Sequence, residues 1–512
     1  MDELRPSRFR RSLYDPDRFT LTFELVPGRS GRSKGYNRTL ALARQLAADG
    51  RLQAVSITEN AGGHPALSPE VLGGEILAMG LDVIIHLSCK DKNRNQMESL
   101  LYAWDREGLS DLLVISGDYP QQGYRGDPKP VFDLGSVQVL DLLAAMNRGG
   151  ATLAASGAAG SPLPPTSFLK GVAVSPFKRL EAEQMMQYYK LHRKVAAGAD
   201  YVITQVGYDA RKFHELLLYM EQNGLNVPVL GNVFIPNLAV VEIMYRGGIP
   251  GCAIPESLYV EMKRESEAPD RGRRARLVRG AKLLAVLEGM GYAGAHIGGP
   301  GLTCEDFDFL VSEAQRLAPE WRQSVPDLCH WFDDGFFLFE ADGASGLNRA
   351  EPARRGVAGP PSLAYRAAHL VHELAFEPEG PLFDLARNCC LALDETRLRG
   401  GFATVEHLLK FIAFGCRNCG DCTLAELAFV CPQSGCAKNL LNGPCGGSRD
   451  GWCEVYPGKR RCLYVRVYER LKRVAREGEM RRGFVPPRDW SLNETSSWVN
   501  FYRGRDHAGG GR

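Results

Sequence analysis

The chain has 512 residues, enough for two or three domains with sizeable cores. Lys and Arg total 62 and Asp and Glu total 60, so the net charge is +2. This balance gives no electrostatic basis for nucleic-acid binding, and no apolar run approaches the ~18 residues of a membrane span. The N-terminus lacks the apolar run of a signal peptide, so we expect a cytoplasmic globular protein.

The first 310 residues repeat one pattern, in which a short β-branched run is followed by a polar turn and a helical stretch. The runs begin at residues 20, 52, 82, 110, 171, 201, 227 and 295. Such alternation predicts parallel strands, and eight units in roughly 250–300 residues are typical of a (β/α)8 TIM-type barrel. We therefore predict an α/β fold with a barrel over residues 1–310. A doubly wound open sheet is the alternative, although no G-x-G-x-x-G follows the first run.

Polar residues follow several of these runs, at the end where barrel enzymes build their active sites. They include Glu24, Thr58, His86, Gly117-Asp118 and Gln205. A carboxyl group at the end of the first strand can be desolvated, which raises its pKa as a general acid requires. The competing interpretations are a strand-end ion pair for Glu24 and a core histidine for His86.

The second part of the chain divides into three predicted segments. Residues 311–384 are predicted to form a helical connecting region, and residues 385–480 a cysteine-rich, mostly irregular and helical domain. An amphipathic helix over residues 404–415 leads into the first of its clustered cysteines. We expect residues 481–512 to be a disordered tail. We also expect the adjacent Cys389 and Cys390 to be buried.

Eight of the 14 cysteines fall between residues 416 and 462. They are Cys416, Cys419, Cys422, Cys431, Cys436, Cys445, Cys453 and Cys462. Disulfides need an oxidising compartment, structural zinc takes four ligands, and each iron–sulfur cubane takes four thiolates. The C-x2-C-x2-C opening is ferredoxin-like, and Pro432 follows Cys431 as in ferredoxin motifs. We predict one or two 4Fe-4S clusters, with zinc possible in place of a cluster.

The barrel segments resemble the methylenetetrahydrofolate reductase family. The matching pieces are F-E-L-V-P from 23, S-I-T-E-N-A-G-G from 56, H-L-S-C-K-D-K-N-R from 86, G-D at 117 and K-V-A-A-G-A-D-Y-V-I-T-Q from 194. The resemblance implies a barrel that binds FMN (or FAD) and passes a hydride to 5,10-methylenetetrahydrofolate, giving 5-methyltetrahydrofolate.

The resemblance also implies roles for individual positions. Glu24 would be the general acid, and Asp118 an acid near flavin and pterin. Gln205 would contact folate. The implied flavin contacts are Thr58, His86, Gly117, Asp118, Ala173 and Lys194, the last as a phosphate partner. The chain departs from the family pattern at Glu59-Asn60, Ser116 and Ser175, which favours an electron source other than NADH.

The cysteine segment resembles the C-terminal domain found with methylenetetrahydrofolate reductases of anaerobic one-carbon metabolism. The matching pieces are C-G-D-C ending at 422, V-C-P from 430, L-N-G-P-C-G-G from 441 and C-E-V from 453. This implies electron entry from a protein donor such as ferredoxin or a flavin/iron–sulfur subunit. The alternative is a barrel enzyme of tetrahydrofolate-linked methyl transfer or demethylation, with a zinc-stabilised C-terminal domain that binds a partner.

Overall fold

The computed structural model describes residues 7–149, 163–356 and 359–509. Eight parallel strands close into a barrel in chain order, and the first strand pairs with the last. The strands are β1 (Thr20–Leu25), β2 (Ala54–Ile57), β3 (Asp82–Ser88), β4 (Asp111–Ile115), β5 (Leu169–Val174), β6 (Tyr201–Thr204), β7 (Val229–Phe234) and β8 (Gly294–Gly298). The predicted TIM-type barrel is therefore confirmed, and the open sheet is excluded.

Helices surround the barrel because those between consecutive strands cover the outer, apolar side chains of the strands. They are α1 (Arg8–Leu13), α2 (Lys34–Asp49), α3 (Pro69–Ala78), α4 (Arg94–Arg106), α5 (Ser136–Arg148), α6 (Glu181–Ala196), α7 (Ala210–Gln222), α8 (Leu238–Tyr245), α9 (Glu256–Glu265), α10 (Arg273–Met290) and α11 (Cys304–Leu317). Helix α11 packs against α10 and α2, so the helical layer continues past residue 310.

The N-terminal end of the barrel is closed by α1. Phe9 is fully buried and meets the ring of Tyr201 edge to face at 5.4 Å. The backbone N–H of Phe9 donates to Asp82 at 2.8 Å, which fixes the helix against the start of β3. This end of the barrel is thus filled by side chains, and the opposite end holds the polar residues.

The described residues after α11 contain one small hairpin and several helices. The hairpin pairs β9 (Phe339–Ala341) with β10 (Asn348–Pro352). The helices are α12 (Leu363–Ala375), α13 (Phe383–Asp394), α14 (Arg399–Phe414), α15 (Pro432–Gly435), α16 (Leu463–Lys472) and α17 (Ser497–Tyr502). Between α14 and α16 the backbone is mostly irregular, as predicted for the cysteine segment. In the described ranges, no helix combines the length and apolar character needed to cross a membrane.

Two expectations for this half are wrong. Residues 482–509 form defined structure instead of a disordered tail: Val485 exchanges hydrogen bonds with Asn442, and α17 packs on α13. The tail is held because its polar and aromatic groups find partners on the cysteine segment and the helices. Of the adjacent cysteines, Cys390 is buried, whereas Cys389 is exposed because it lies on the outer face of α13.

Candidate active site

Towards the C-terminal ends of the strands, the interior of the barrel contains a layer of polar side chains. Strand pairing places Thr22 opposite His296 and Asn232 opposite the same histidine. Thr22 and Nδ1 of His296 are hydrogen-bonded at 2.8 Å, and Oγ of Ser56 lies 3.4 Å from Nε2 of His296. Inward-pointing positions of neighbouring strands therefore gather around one buried imidazole at the C-terminal end of the barrel.

Glu24 lies directly above this imidazole. Its carboxylate is 3.8 Å from Nε2 of His296, and its side chain is 23% exposed. Burial alone would raise the pKa of Glu24, but the nearby imidazole of His296, together with that of His86, lowers it below the usual value. The expected raised pKa is therefore wrong, because sequence reasoning did not include a histidine contributed by β8.

His86 completes this group. Ligand atoms of Glu24, His86 and His296 all lie within 4.8 Å of one another. Burial lowers the pKa of His86 to about 4, with Glu24 opposing and His296 adding to that shift. His86 is therefore neutral at physiological pH, and it can accept or donate a hydrogen bond without carrying charge.

Three buried polar atoms at this end of the barrel have no hydrogen-bond partner among the residues that the structure describes. They are Oγ1 of Thr58, Nε2 of His86 and Oδ1 of Asn232. A buried polar group without a partner costs about 1–3 kcal/mol, so such groups are normally satisfied. All three atoms lie at one end of the barrel, where a polar ligand with several hydrogen-bonding edges could bond to them.

The Gly117-Asp118 turn follows β4 at the same rim. Gly117 has φ +79°, and a Cβ there would lie 2.1 Å from Oγ of Ser88, so the turn requires glycine. Asp118 accepts a hydrogen bond from the backbone N–H of Gly62 at 3.0 Å. Burial raises the pKa of Asp118, aided by Glu454 and opposed by Lys438. Of the two predicted acids, Asp118 is the one whose pKa shifts upward.

The two predicted flavin contacts from the next βα unit lie together. Nζ of Lys194 donates to the carbonyl of Ala173 at 2.5 Å. Burial lowers the pKa of Lys194 well below its usual value, and the charge of neighbouring Lys190 adds to this. In the described residues neither lysine is ion-paired with a carboxylate. A buried anion would supply the charge that this pair lacks.

Gln205 follows β6 on the adjacent part of the rim. Its Oε1 accepts from the backbone N–H of Val206 at 2.8 Å, and Cys252 lies 3.9 Å away. A Cβ on Gly251 would lie 3.1 Å from Nε2 of Gln205. The predicted folate contact therefore lies at the barrel rim, beside the loop that carries Gly251.

The cysteine segment packs directly on this rim through three buried lysines. Lys178 donates to the carbonyls of Gly446 and Ser448, the latter at 2.7 Å. Lys190 donates to the carbonyl of Pro444 at 2.8 Å and lies 3.5 Å from Oγ of Ser116. One of the departures from the family pattern, Ser116, thus faces a lysine that binds the cysteine segment.

The third lysine comes from the cysteine segment itself. Lys438 donates to the carbonyl of Gly117 at 2.7 Å and forms a buried ion pair with Glu454. Because Gly117 precedes Asp118, the cysteine segment contributes charged groups to the surroundings of a predicted acid. Gly443 of the cysteine segment packs against the side chain of Lys190 on the barrel. Its φ is +118°, and a Cβ there would lie 2.7 Å from that side chain, so this close approach requires glycine.

The structure sorts the eight cysteines into two groups of four. One cavity is lined by the outer group, Cys416, Cys419, Cys422 and Cys431. A second cavity is lined by the inner group, Cys436, Cys445, Cys453 and Cys462. The inner group is the one next to the barrel, because Lys438 and Glu454 line its cavity as well.

Each group has a buried lysine–glutamate pair beside it. Nζ of Lys410 lies 3.3 Å from Sγ of Cys422 and 3.4 Å from Glu406. In the inner group, Lys438 pairs with Glu454, whose Oε1 lies 3.7 Å from Sγ of Cys445. Although burial lowers the pKa of Lys410, the thiolates and Glu406 outweigh it and raise that pKa. A fixed positive charge therefore lies against each thiol group.

The C-terminal residues are fastened to the outer group by His507. Its Nδ1 lies 2.6 Å from Asp421, between Cys419 and Cys422 in sequence, and its Nε2 lies 2.9 Å from Glu426. Although burial opposes it, the hydrogen bonds to Asp421 and Glu426 raise the pKa of His507 to about 10. The imidazolium thus connects the tail to the cysteine loop.

We expect His507→Ala to lower the free energy of local opening of residues 497–509 by about 3 kcal/mol, because it leaves the buried carboxylate of Asp421 without its imidazolium partner. Hydrogen exchange of this segment measures it, with His64→Ala, an exposed histidine, as control. Since the folded pKa lies above the unfolded value of 6.5, the stabilisation is full below pH 6.5 and is lost as pH rises through about 10. Equal exchange in both variants would contradict the expectation.

Sequence reasoning missed several residues of this site. His296 lies within the eighth apolar run, where an isolated histidine carried no signal. Lys178, Lys190 and Lys438 were missed because surface lysines are common, and only the packing of the cysteine segment buries them. His296 could have been found from the predicted barrel, because closure pairs β8 with β1 and so brings an inward-facing residue of β8 next to Glu24.

Comparisons with known proteins agree with this architecture. A family model described as Methylenetetrahydrofolate reductase matches residues 8–285, and one described as Methylene-tetrahydrofolate reductase C terminal matches residues 397–491. Methylenetetrahydrofolate reductase 2 of Saccharomyces cerevisiae is 26% identical over 183 residues, which are 35% of this chain and 28% of the yeast protein. The chain thus spans less than a third of that relative's length.

Among solved structures, the chain is similar to an uncharacterized protein from Clostridium thermocellum, described as binding two copies of 5-methyl-5,6,7,8-tetrahydrofolic acid. The identity is 12%, the TM-score is 0.41, and the match covers 61% of this chain and 99% of that one. The barrel model alone matches more than half of the present sequence, at residues 8–285. The chain belongs to the methylenetetrahydrofolate reductase family.

Proposed function

We propose that the protein reduces 5,10-methylenetetrahydrofolate to 5-methyltetrahydrofolate in the barrel, with electrons entering through the cysteine segment. The observation that carries this is the convergence of the Glu24–His86–His296 group, Asp118 and the inner cysteines on one end of the barrel. Family membership supplies the reaction type. The contact between the cysteine segment and the barrel rim supports the route of electron entry.

The residues at the barrel mouth fit a flavin mononucleotide. Its ring edges would satisfy the unpartnered atoms of Thr58, His86 and Asn232. Its phosphate would supply the anion that the buried Lys190 and Lys194 lack. Bound there, FMN would supply the hydride that converts the methylene group to a methyl group. FAD presents the same ring and a phosphate, so the two flavins are distinguished by experiment.

Glu24 and His296 form the proton-handling pair of this proposal. Because His296 lowers the pKa of Glu24, the carboxylate is the resting form, and Glu24 must take up a proton before it can act as an acid. Glu24 is the member exposed towards the mouth, so it would deliver that proton to the folate nitrogen as the ring opens. Asp118, with a raised pKa, is the second candidate acid. Gln205 would bind the pterin edge.

The two cysteine groups fit two cubane clusters. Four thiolates on one zinc ion, at about 2.3 Å each, would lie about 4 Å apart. In the described part of the chain, no three cysteine sulfurs come within 4.8 Å of one another. Cysteine sulfurs this far apart do not fit around a single zinc ion, so we favour a 4Fe-4S cluster in each group. Such clusters would supply one-electron carriers.

The arrangement of the groups gives the electron route a direction. The inner group shares Lys438 and Glu454 with the surroundings of Asp118. The outer group lies beyond it, beside α14 and the C-terminal tail. A protein donor such as ferredoxin or a flavin/iron–sulfur subunit would therefore reduce the outer group first, and the inner group would pass electrons to the barrel.

Cofactor analysis of anaerobically purified protein tests the proposal. We expect one FMN and about eight iron atoms per chain, from two clusters of four irons each. Lys194→Met should weaken FMN binding about tenfold or more and leave iron unchanged, because it removes a phosphate partner; Lys282→Met, a surface lysine, is the control. Protein with zinc, no iron and no FMN uptake would contradict the proposal and favour tetrahydrofolate-linked methyl transfer or demethylation.

A further inference from the structure

Helix α14 is oriented with its polar side inwards. Glu406 and Lys410 are 3% and 6% exposed, whereas Leu408 and Ile412 are 55% and 75% exposed. The buried pair is bonded to Ser497 and Cys422, which explains the inward orientation. The apolar stripe of an amphipathic helix normally faces a core. Here it faces outwards, from the helix that leads into Cys416.

The neighbouring helices extend this exposed apolar surface. Half of the large hydrophobic side chains that are exposed in the described residues come from positions 363–412. They are Leu363, Leu370, Val371, Leu382, Leu385, Leu398, Val405, Leu408, Leu409, Phe411 and Ile412. Helix α13 packs against both α12 and α14, so these side chains belong to one helical layer.

We propose that this layer, residues 363–412, is the interface with a second copy of the same chain. A fully exposed aliphatic side chain carries roughly 100 Å², so these residues supply on the order of 600 Å² of apolar surface. That is most of the ~800 Å² per partner in a stable interface, before polar rim and backbone are added. The largest apolar patch on a typical monomer is about 300–600 Å² and often marks an interaction site, and this surface lies at the upper end of that range.

The chemistry of the rim favours a second copy over an electron-transfer protein or a membrane. Exposed charges of both signs lie on these helices and on the turn between α13 and α14: Asp384, Arg387, Glu395, Arg397 and Arg399. A mixed rim can complement itself across a two-fold axis, whereas an acidic redox protein or an anionic membrane would need a mainly basic one. Homodimer interfaces are also more apolar than transient redox contacts.

The proposed dimer would cover one side of the outer cysteine group. Residues His407 and Phe414 of α14 line the cavity that holds Cys416 and its three partners. A second copy on α14 would therefore limit access of solvent to this group. The proposal does not depend on which cofactor the cysteines bind.

The test is the solution mass of the full chain, purified anaerobically with its native cofactors. Light scattering after size exclusion should give twice the mass of one chain. The double variant Leu408→Glu with Ile412→Glu should give a monomer with an unchanged near-ultraviolet circular dichroism spectrum. The matched control is Val71→Glu with Val260→Glu, two exposed positions on α3 and α9 that should leave the dimer intact.

A second measurement needs no variant and decides the case if the double variant fails to fold. Amide hydrogen exchange of residues 399–414 in the wild-type protein should speed up on dilution, as the dimer dissociates. The proposal would be overturned if the wild type is a monomer or if the folded double variant remains a dimer. It would also be overturned if the exchange rate does not depend on protein concentration. Binding of a monomeric wild type to vesicles or reduced ferredoxin through α14 would assign the surface to that partner instead.

Discussion

Replacing Glu24 with glutamine should slow oxidation of the reduced, flavin-loaded enzyme by methylenetetrahydrofolate about 10²–10⁴-fold, the usual contribution of a general acid. The amide keeps the shape of the side chain and its position 3.8 Å from His296, but it cannot hold the proton. Reduction by dithionite should remain at the wild-type rate, because that half-reaction does not use the acid. Stopped-flow absorbance of the flavin measures both steps.

Two further variants separate Glu24 from its surroundings. Glu107→Gln alters an exposed carboxylate at the other end of the barrel and should have no effect on either step. His296→Gln removes the group that lowers the pKa of Glu24, so that pKa should rise and the pH dependence of the oxidation step should move to higher pH. A change below about fivefold in Glu24→Gln would reassign the acid to Asp118, because general acids contribute more than this.

Cys419→Ala and Cys436→Ala should each abolish reduction of methylenetetrahydrofolate by reduced ferredoxin or a viologen. The first removes a ligand from the outer group and the second from the inner group, so either interrupts the proposed route. Both variants should still oxidise methyltetrahydrofolate when oxidised flavin is supplied, because that half-reaction uses only the barrel. Anaerobic steady-state and single-turnover assays measure the two activities.

The arrangement of the groups makes this prediction specific. The variant that lacks Cys419 should retain the electron paramagnetic resonance signal of the inner cluster, and the variant that lacks Cys436 that of the outer one. Cys389→Ala, an exposed cysteine outside both groups, is the matched control and should keep both signals and full activity. Rapid reduction of the flavin by NADH in the wild type and both variants would show that the cysteine segment is structural or recruits a partner.

The barrel could be predicted from the sequence because its signal is local. Each strand is a short apolar run followed by a turn and a helix, and eight repeats of that unit leave few other folds. The cysteine segment was recognisable for the same reason: its ligands lie within 47 residues, from Cys416 to Cys462. The strand-end positions of Glu24, Thr58 and His86 also followed from local pattern alone.

Only the tertiary structure decided how these parts act on one another. The pKa of Glu24 depends on His296, which is distant in sequence and becomes a neighbour only when β1 pairs with β8. Lys438 lies 321 residues from Gly117, yet its charge reaches the surroundings of Asp118. Long-range pairs such as these leave no periodicity in the sequence, so their electrostatic effects could not be predicted.

The outward orientation of α14 has the same physical origin. Its sequence determines an amphipathic helix, but not which side faces the protein, because periodicity records only that two faces differ. Ser497 and the thiol of Cys422 provide buried partners for Glu406 and Lys410, and these polar contacts leave Leu408 and Ile412 at the surface. The sequence thus determined the helix and its two faces, and packing against the cysteine loop and the C-terminal residues decided which face was left for a partner.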